Sequence, residues 1–170
     1  RYITKNQLAW LILIEILIGF VGGNLTLAGF ITFTYTEIYQ TTLLGLTGLI
    51  GIFVGLEIPL IICILKDFEE LKITVAKVMS ADYIGALVAS IVFPFVLIPH
   101  LGLNRAGIAT GFANLLIALF LVHRFKIKLG RFYTRLLLFT FFCLGFLGLS
   151  YFYSQGMISH MEDSLYQDRV

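Results

Sequence analysis

The chain has 170 residues, of which 59% are hydrophobic and only 13% are charged, and its mean hydropathy is +0.95. Soluble domains carry about 25% charged residues, so this composition excludes an ordinary water-soluble domain. The formal net charge is only +2, so the positions of the charges are more informative than their sum.

Five apolar stretches have, or nearly have, the length of about 20 residues that an α-helix needs to cross about 30 Å of hydrocarbon. They are residues 8–33, 42–65, 81–103, 106–122 and 136–153. Because backbone groups in lipid must be hydrogen-bonded within their own segment, these stretches are predicted to be helices. The predicted fold class is an all-α polytopic membrane protein: a bundle of about five transmembrane helices plus one amphipathic interfacial helix.

Residues 1–153 are predicted to form this transmembrane domain, a multi-pass domain of the cell membrane. Residues 154–170 are more polar and are predicted to begin a linker into a soluble domain that this chain does not include. Because the chain starts at Arg1 without an initiator methionine, we expect it to be a piece of a longer protein.

Each of the first two spans carries a carboxylate, Glu15 and Glu57, about two turns in from one end. A charge near the bilayer centre costs about 2.5–3.5 kcal/mol on insertion scales, so Glu57 is predicted to face a partner or a wet cavity. Pro59 lacks an N–H and clashes with the carbonyl four residues earlier, so we predict a kink that frees the carbonyl of Gly55.

The segment before the third span, residues 66–80, has apolar residues at helical spacing with charged residues between them. It is predicted to be either an amphipathic helix on the membrane surface or a solvated helix packed on the bundle. Ser80 and Asp82 stand where the third span opens and are predicted to cap its exposed N–H groups. Pro94, inside that span, is predicted to kink it.

Three carboxylates, Glu15, Glu57 and Asp82, lie toward one leaflet, with no Lys or Arg inside any span to neutralise them. Asn114 lies midway along the fourth span. One interpretation is a site for a cation or a proton in the inner half of the bundle. The other is that Glu15 and Glu57 are hydrogen-bonded contacts between helices and Asp82 is a cap. We favour the site for Glu57 and the cap for Asp82.

Pairs of glycines four residues apart recur at Gly19/Gly23, Gly51/Gly55 and Gly107/Gly111, and Gly45 and Gly48 extend the second pair. This spacing lets helices approach closely in lipid. We predict that all three pairs pack within the bundle.

The distribution of basic residues predicts an orientation. With Arg1 in the cytoplasm, five crossings place 10 of the 12 Lys and Arg residues there, as the positive-inside rule requires. The basic segment 123–135 is then a cytoplasmic loop at the membrane edge rather than a nucleic-acid patch, and Val170 lies outside.

Motifs for catalysis are absent from the sequence: it has no Gly-rich nucleotide loop, no His-Glu-x-x-His and no Cys-x-x-Cys. His100, His123 and His160 have no second ligand at metal-binding spacing, and Cys63 and Cys143 lie in apolar runs. We therefore expect no catalytic residue, no metal and no cofactor within this chain.

Several segments, in order, resemble the transmembrane half of bacterial membrane-bound spermidine synthases, also described as fused transporter-like spermidine synthases, which are polyamine aminopropyltransferases. They are ILIEILIG (12–19), VGLEIPLI (54–61), DYIGALVAS (82–90), FPFVLIPHLGLNR (93–105) and NLLIALFLV (114–122). The tail MEDSLYQDRV (161–170) is similar to the entrance of that family's soluble domain. One departure is Ala89, which stands where a second glycine after Gly85 is expected.

The resemblance implies a parent enzyme that transfers an aminopropyl group from decarboxylated S-adenosylmethionine to putrescine, giving spermidine and methylthioadenosine. The catalytic residues would lie beyond Val170, so the partners expected for this chain are the lipid bilayer, its own downstream soluble domain, and putrescine or spermidine. Its role is predicted to be anchoring, or handling of a polyamine or another cation through inward-facing carboxylates. A fragment of a cation or polyamine transporter is the alternative. If the catalytic domain is cytoplasmic, residues 136–153 should be re-entrant or interfacial rather than a full crossing.

Overall fold

The computed structural model describes residues 2–35, 38–66 and 70–167. These residues form helices joined by short connections: α1 (Tyr2–Tyr35), α2 (Tyr39–Leu65), α3 (Leu71–Val92), a π-helical segment (Phe93–Leu97), α4 (Ile98–Arg124), α5 (Lys126–Leu129) and α6 (Phe132–Gln167). No strand occurs within these ranges. The all-α prediction is confirmed for them.

Four helical stretches of the described chain are long and apolar enough to cross a membrane: Gln7–Tyr35, Tyr39–Leu65, Leu71–Arg124 and Phe132–Ser154. The third stretch is 54 residues long, or about 80 Å at about 1.5 Å per residue. It is not one straight helix, because Gly102 has φ 76° and ψ 164°. The helix therefore stops at Gly102 and starts again at Leu103.

Helix α1 is the centre of the bundle and contacts α2, α4 and α6. The fully buried side chains include Ile12 and Ile16 of α1, Ile108 and Leu115 of α4, and Leu147 of α6. Apolar residues on the facing sides of these three helices account for this core.

Glycines allow α1 and α4 to touch. A Cβ atom on Gly111 would lie 2.6 Å from the carbonyl oxygen of Gly19 and 2.7 Å from the Cα of Gly23, so only glycine fits there. Gly107 packs against Thr26. Close packing is confirmed for Gly19/Gly23 and Gly107/Gly111.

The same prediction is wrong for the glycines of α2. A Cβ atom on Gly45, Gly48, Gly51 or Gly55 would meet nothing within 4 Å among the described residues. These glycines lie on a side of α2 that no helix of the described chain covers.

The direction of each helix follows from its contacts with α1. On α2, Leu43 lies near Gly29 and Ile50 near Gly22, so α2 is antiparallel to α1. On α4, Gly107 is level with Thr26, whereas Leu115 is level with Gly19, so α4 is also antiparallel to α1.

Helix α6 is parallel to α1. The ring of Phe146 contacts that of Phe20, with centroids 5.3 Å apart and planes at 58°, and Ser150 hydrogen-bonds Asn24 further along both helices. Residues 132–154 are one uninterrupted helix along α1, so the re-entrant alternative for 136–153 does not describe this fold.

Two predictions about the third helix are wrong. Residues 71–80 are not a separate interfacial helix, because α3 runs without interruption from Leu71 to Val92; Phe68 lies outside the described residues. For the same reason Ser80 and Asp82 do not cap a helix: they stand more than two turns inside α3, whose N-cap residue is Glu70. No glycine or proline interrupts residues 71–84, so a helix begun at Leu71 continues into the apolar stretch.

The two prolines predicted to kink their helices have different effects on the hydrogen-bond pattern. Helix α2 remains α-helical through Pro59. Pro94 lies in the π-helical segment, where the N–H of Ile98 bonds the carbonyl of Phe93 five residues earlier. The missing N–H of Pro94 and its clash with the preceding turn account for this wider turn.

Candidate functional site

Glu15 lies in the middle of the bundle, on the side of α1 that faces α2. It is only 7% exposed, and its carboxyl group is within hydrogen-bonding reach of the carboxyl group of Glu57 on α2. The prediction that Glu57 faces a partner is thus confirmed, and the partner is Glu15. Two ionised carboxyl groups this close repel each other strongly where water is excluded.

A cavity of about 430 Å³ opens between α2 and α3 beside this pair. Glu57 lines it, and Asp82 lines the opposite wall on α3, close enough for its charge to act on Glu57. The cavity therefore brings the carboxylates of Glu57 and Asp82 to one space, with Glu15 directly behind Glu57. Its walls are otherwise mostly aliphatic: Val54, Ile58, Ile61, Leu65, Val78 and Ala81, with Lys77 as the basic residue among the described lining residues.

Asn114, the fourth predicted site residue, lies elsewhere. Its Cβ atom would be 3.1 Å from a Cβ atom on Gly19, one turn of α1 beyond Glu15. Asn114 is not among the residues that line the cavity. The structure thus brings together Glu15, Glu57 and Asp82 and places Asn114 on the neighbouring α1–α4 contact.

Two residues of the α3 wall, Lys77 and Val78, were not predicted as site residues, because their segment was expected to be a separate surface helix. Thr74 stands one turn before Val78 on the same face; it is 2% exposed, and its hydroxyl has no hydrogen-bond partner among the described residues. Residues 74, 78, 81 and 82 follow the i, i+4, i+7, i+8 spacing of one helix face. Extending the helical pattern back through Ser80 would have found them.

A second group of polar side chains lies at the other end of the bundle. Ser150 of α6 donates a hydrogen bond of 3.1 Å to the Oδ1 atom of Asn24 on α1. Arg105 places its guanidinium 5.0 Å from the centre of the Tyr151 ring. Asn104 beside it is 6% exposed, and neither its Nδ2 nor its Oδ1 atom has a hydrogen-bond partner in the part of the chain that the structure describes.

Comparison with known proteins finds relatives that are named polyamine aminopropyltransferase. The chain is 37% identical over 175 aligned residues to a polyamine aminopropyltransferase of Leptospira interrogans, an alignment that covers 100% of the chain and 34% of the relative. It is 32% identical to a polyamine aminopropyltransferase of Corynebacterium efficiens, covering 99% of the chain and 34% of that protein. Polyamine aminopropyltransferase 2 of Aquifex aeolicus is 36% identical over 77% of the chain.

No protein-family model matches the chain, and no solved structure does. The alignments cover 28–34% of the length of these three relatives. Over 99–100% of its length, the chain is therefore homologous to a segment that makes up about one third of the polyamine aminopropyltransferases of Leptospira interrogans and Corynebacterium efficiens.

Proposed function

We propose that the chain is the membrane-embedded module of a polyamine aminopropyltransferase of the spermidine synthase type. In this proposal it anchors the enzyme in the cell membrane and binds a polyamine through the carboxylates of the α2–α3 cavity. The observation that carries the proposal is the Glu15–Glu57 pair, of which Glu57 lines that cavity. The named relatives supply the substrate class.

Five crossings are the arrangement that the helix directions favour. Helix α2 is antiparallel to α1 and ends beside the start of α1, whereas the helix that begins at Leu103 starts beside the far end of α1. Residues 71–101 connect these two ends, so they run the length of the bundle. The 54-residue stretch is then two crossings joined at Gly102, and the lipid bilayer surrounds all five.

The chemistry of the cavity suits an aliphatic amine. Its wall offers branched aliphatic side chains to a methylene chain, and Glu57 and Asp82 offer carboxylates to ammonium groups. The electrostatic attraction between an ammonium group and carboxylates is stronger in a region of low dielectric than in water. Putrescine and spermidine combine both features, with amines at the ends of methylene chains.

The reaction of the parent protein belongs to the same proposal. A soluble domain downstream of this module would transfer the aminopropyl group from decarboxylated S-adenosylmethionine to putrescine. The module has no role in bond breaking; it would hold the acceptor or the product near the membrane.

The full-length protein in membranes tests the proposal. We expect aminopropyltransferase activity to sediment with the membranes, and Glu57→Gln to raise the KM for putrescine several-fold while kcat changes little. Glu70→Gln is the matched control, because Glu70 is an exposed carboxylate at the start of α3 with no side-chain capping bond. Equal kinetics for Glu57→Gln and wild type would contradict the polyamine site and leave anchoring as the role of the module. Activity only in the soluble fraction would contradict anchoring as well.

A further inference from the structure

The break at Gly102 exposes a helix N-terminus within the bundle. The helix that starts at Leu103 follows a glycine with φ 76°. First-turn N–H groups have no carbonyl partner inside their own helix, and Gly102 has no side chain that could accept from them. The positive end of the dipole of this helix therefore lies at this turn.

Two side chains of the same turn have unused hydrogen-bonding atoms. Asn104 is 6% exposed, and within the described ranges both polar atoms of its amide lack a hydrogen-bond partner, as does the buried Nε of Arg105. Native proteins leave few such atoms without a partner, because each costs about 1–3 kcal/mol. The set comprises donors from Arg105 and from Asn104 Nδ2, together with one acceptor, Asn104 Oδ1.

The position of Arg105 is fixed by α6. Its guanidinium lies 5.0 Å from the centre of the Tyr151 ring, a cation–π contact that holds the group in place. Because Gly107 packs against Thr26, this turn lies beside the part of α1 that follows Thr26. It is at the opposite end of the bundle from the cavity of Glu57. It also lies between two of the apolar stretches of the sequence, 81–103 and 106–122, where lipid headgroups meet the protein.

We propose that Asn104, Arg105 and the N–H groups of their turn form a site for a phosphate-bearing group that also carries a hydrogen-bond donor. The phosphate oxygens accept from Arg105 and from Asn104 Nδ2. The donor of the ligand fills the acceptor Asn104 Oδ1. A phosphatidylethanolamine headgroup, with its ammonium, and a phosphatidylglycerol headgroup, with its hydroxyls, have both features, whereas phosphatidylcholine has the phosphate but no N–H or O–H donor.

The test is lipid binding to the purified, delipidated full-length protein, measured by native mass spectrometry and by the rise in Tm on adding each lipid. We expect phosphatidylethanolamine and phosphatidylglycerol to bind the wild type several-fold more tightly than phosphatidylcholine. Arg105→Gln should weaken all three about ten-fold, as the loss of a charge-assisted hydrogen bond predicts. Asn104→Leu should remove the preference over phosphatidylcholine.

Arg131→Gln is the matched control, because Arg131 is exposed in the connection before α6; it should bind like the wild type. Inorganic phosphate is tested in a second experiment. If phosphate alone raises the Tm of the wild type but not that of Arg105→Gln, the site is supported with a soluble anion as its ligand. Equal binding of the three lipids together with no effect of phosphate would overturn the proposal. The wild-type lipid comparison decides this even if a variant fails to fold.

Discussion

Two buried threonines differ in whether their hydroxyl groups have a partner. Thr140 is fully buried and donates a 2.8 Å hydrogen bond to the carbonyl of Leu136, whereas the hydroxyl of Thr74 has no partner among the residues that the structure describes. We predict that Thr74→Val leaves Tm unchanged or raises it, because it removes an unpaired polar group, whereas Thr140→Val lowers stability by about 1 kcal/mol. Equal losses of Tm for the two variants would show that Thr74 does have a partner.

The positions of the acidic residues show how much a sequence predicts at this scale. The cost of burying a carboxylate predicts that Glu57 faces inward and that Glu15 lies at a similar depth. Direct contact between the two depends on the rotation and axial shift of α1 against α2, which the sequence does not specify. The burial of the polar atoms of Asn104 could not be predicted from the sequence for the same reason, because it depends on which helices cover that turn.

Among the helices, the closest approach is the one between α1 and α4. We predict that Gly111→Ala lowers stability by about 1–3 kcal/mol, because its Cβ would lie 2.6 Å from a backbone oxygen of α1 and the two helices must separate. Gly51→Ala is the control: nothing lies within 4 Å of its Cβ position, and alanine favours the helix by up to about 1 kcal/mol. Thermal unfolding in detergent compares the two, and an equal loss in both would contradict the packing.

The interruption at Gly102 gives a separate prediction. Gly102 has φ 76° and ψ 164°, a combination that is essentially restricted to glycine, so an alanine there costs about 1–3 kcal/mol. Gly102→Ala should therefore lower Tm, whereas Gly85→Ala, an exposed position inside α3, should not. A Gly102→Ala variant as stable as wild type would mean that the chain is helical through this residue.

Helix boundaries and helix contacts were predictable to different degrees. Apolar stretches located the main helices but not all of their ends: α6 runs to Gln167 rather than 153, and α3 starts at Leu71 rather than 81. Hydropathy marks the apolar stretch and not the limits of the helix. The three glycine pairs have identical spacing, yet only those on α1 and α4 pack closely. Spacing predicts that a helix can be approached, but not whether another helix lies there.

At the scale of the whole molecule, the helix directions predict which connections share a side. The connection between α4 and α6 lies at the end of the bundle where α1 begins, and Gly102 lies at the opposite end. In a cysteine-free full-length protein, Arg131→Cys should react with a membrane-impermeant maleimide only after the cells are opened. The side chain of Leu103 is 51% exposed, and Leu103→Cys should react in intact cells. Labelling of both from one side would contradict the topology.

The central claim is that a polyamine binds between α2 and α3 beside Glu57, and photo-cross-linking tests it most directly. A photoreactive spermidine analogue would be irradiated with the full-length protein, and the labelled peptides would be identified by mass spectrometry. We predict label within residues 54–82, competed by spermidine, lost in Glu57→Gln and retained in Glu70→Gln. Label confined to other parts of the protein, or label at 54–82 that persists in Glu57→Gln, would contradict the claim.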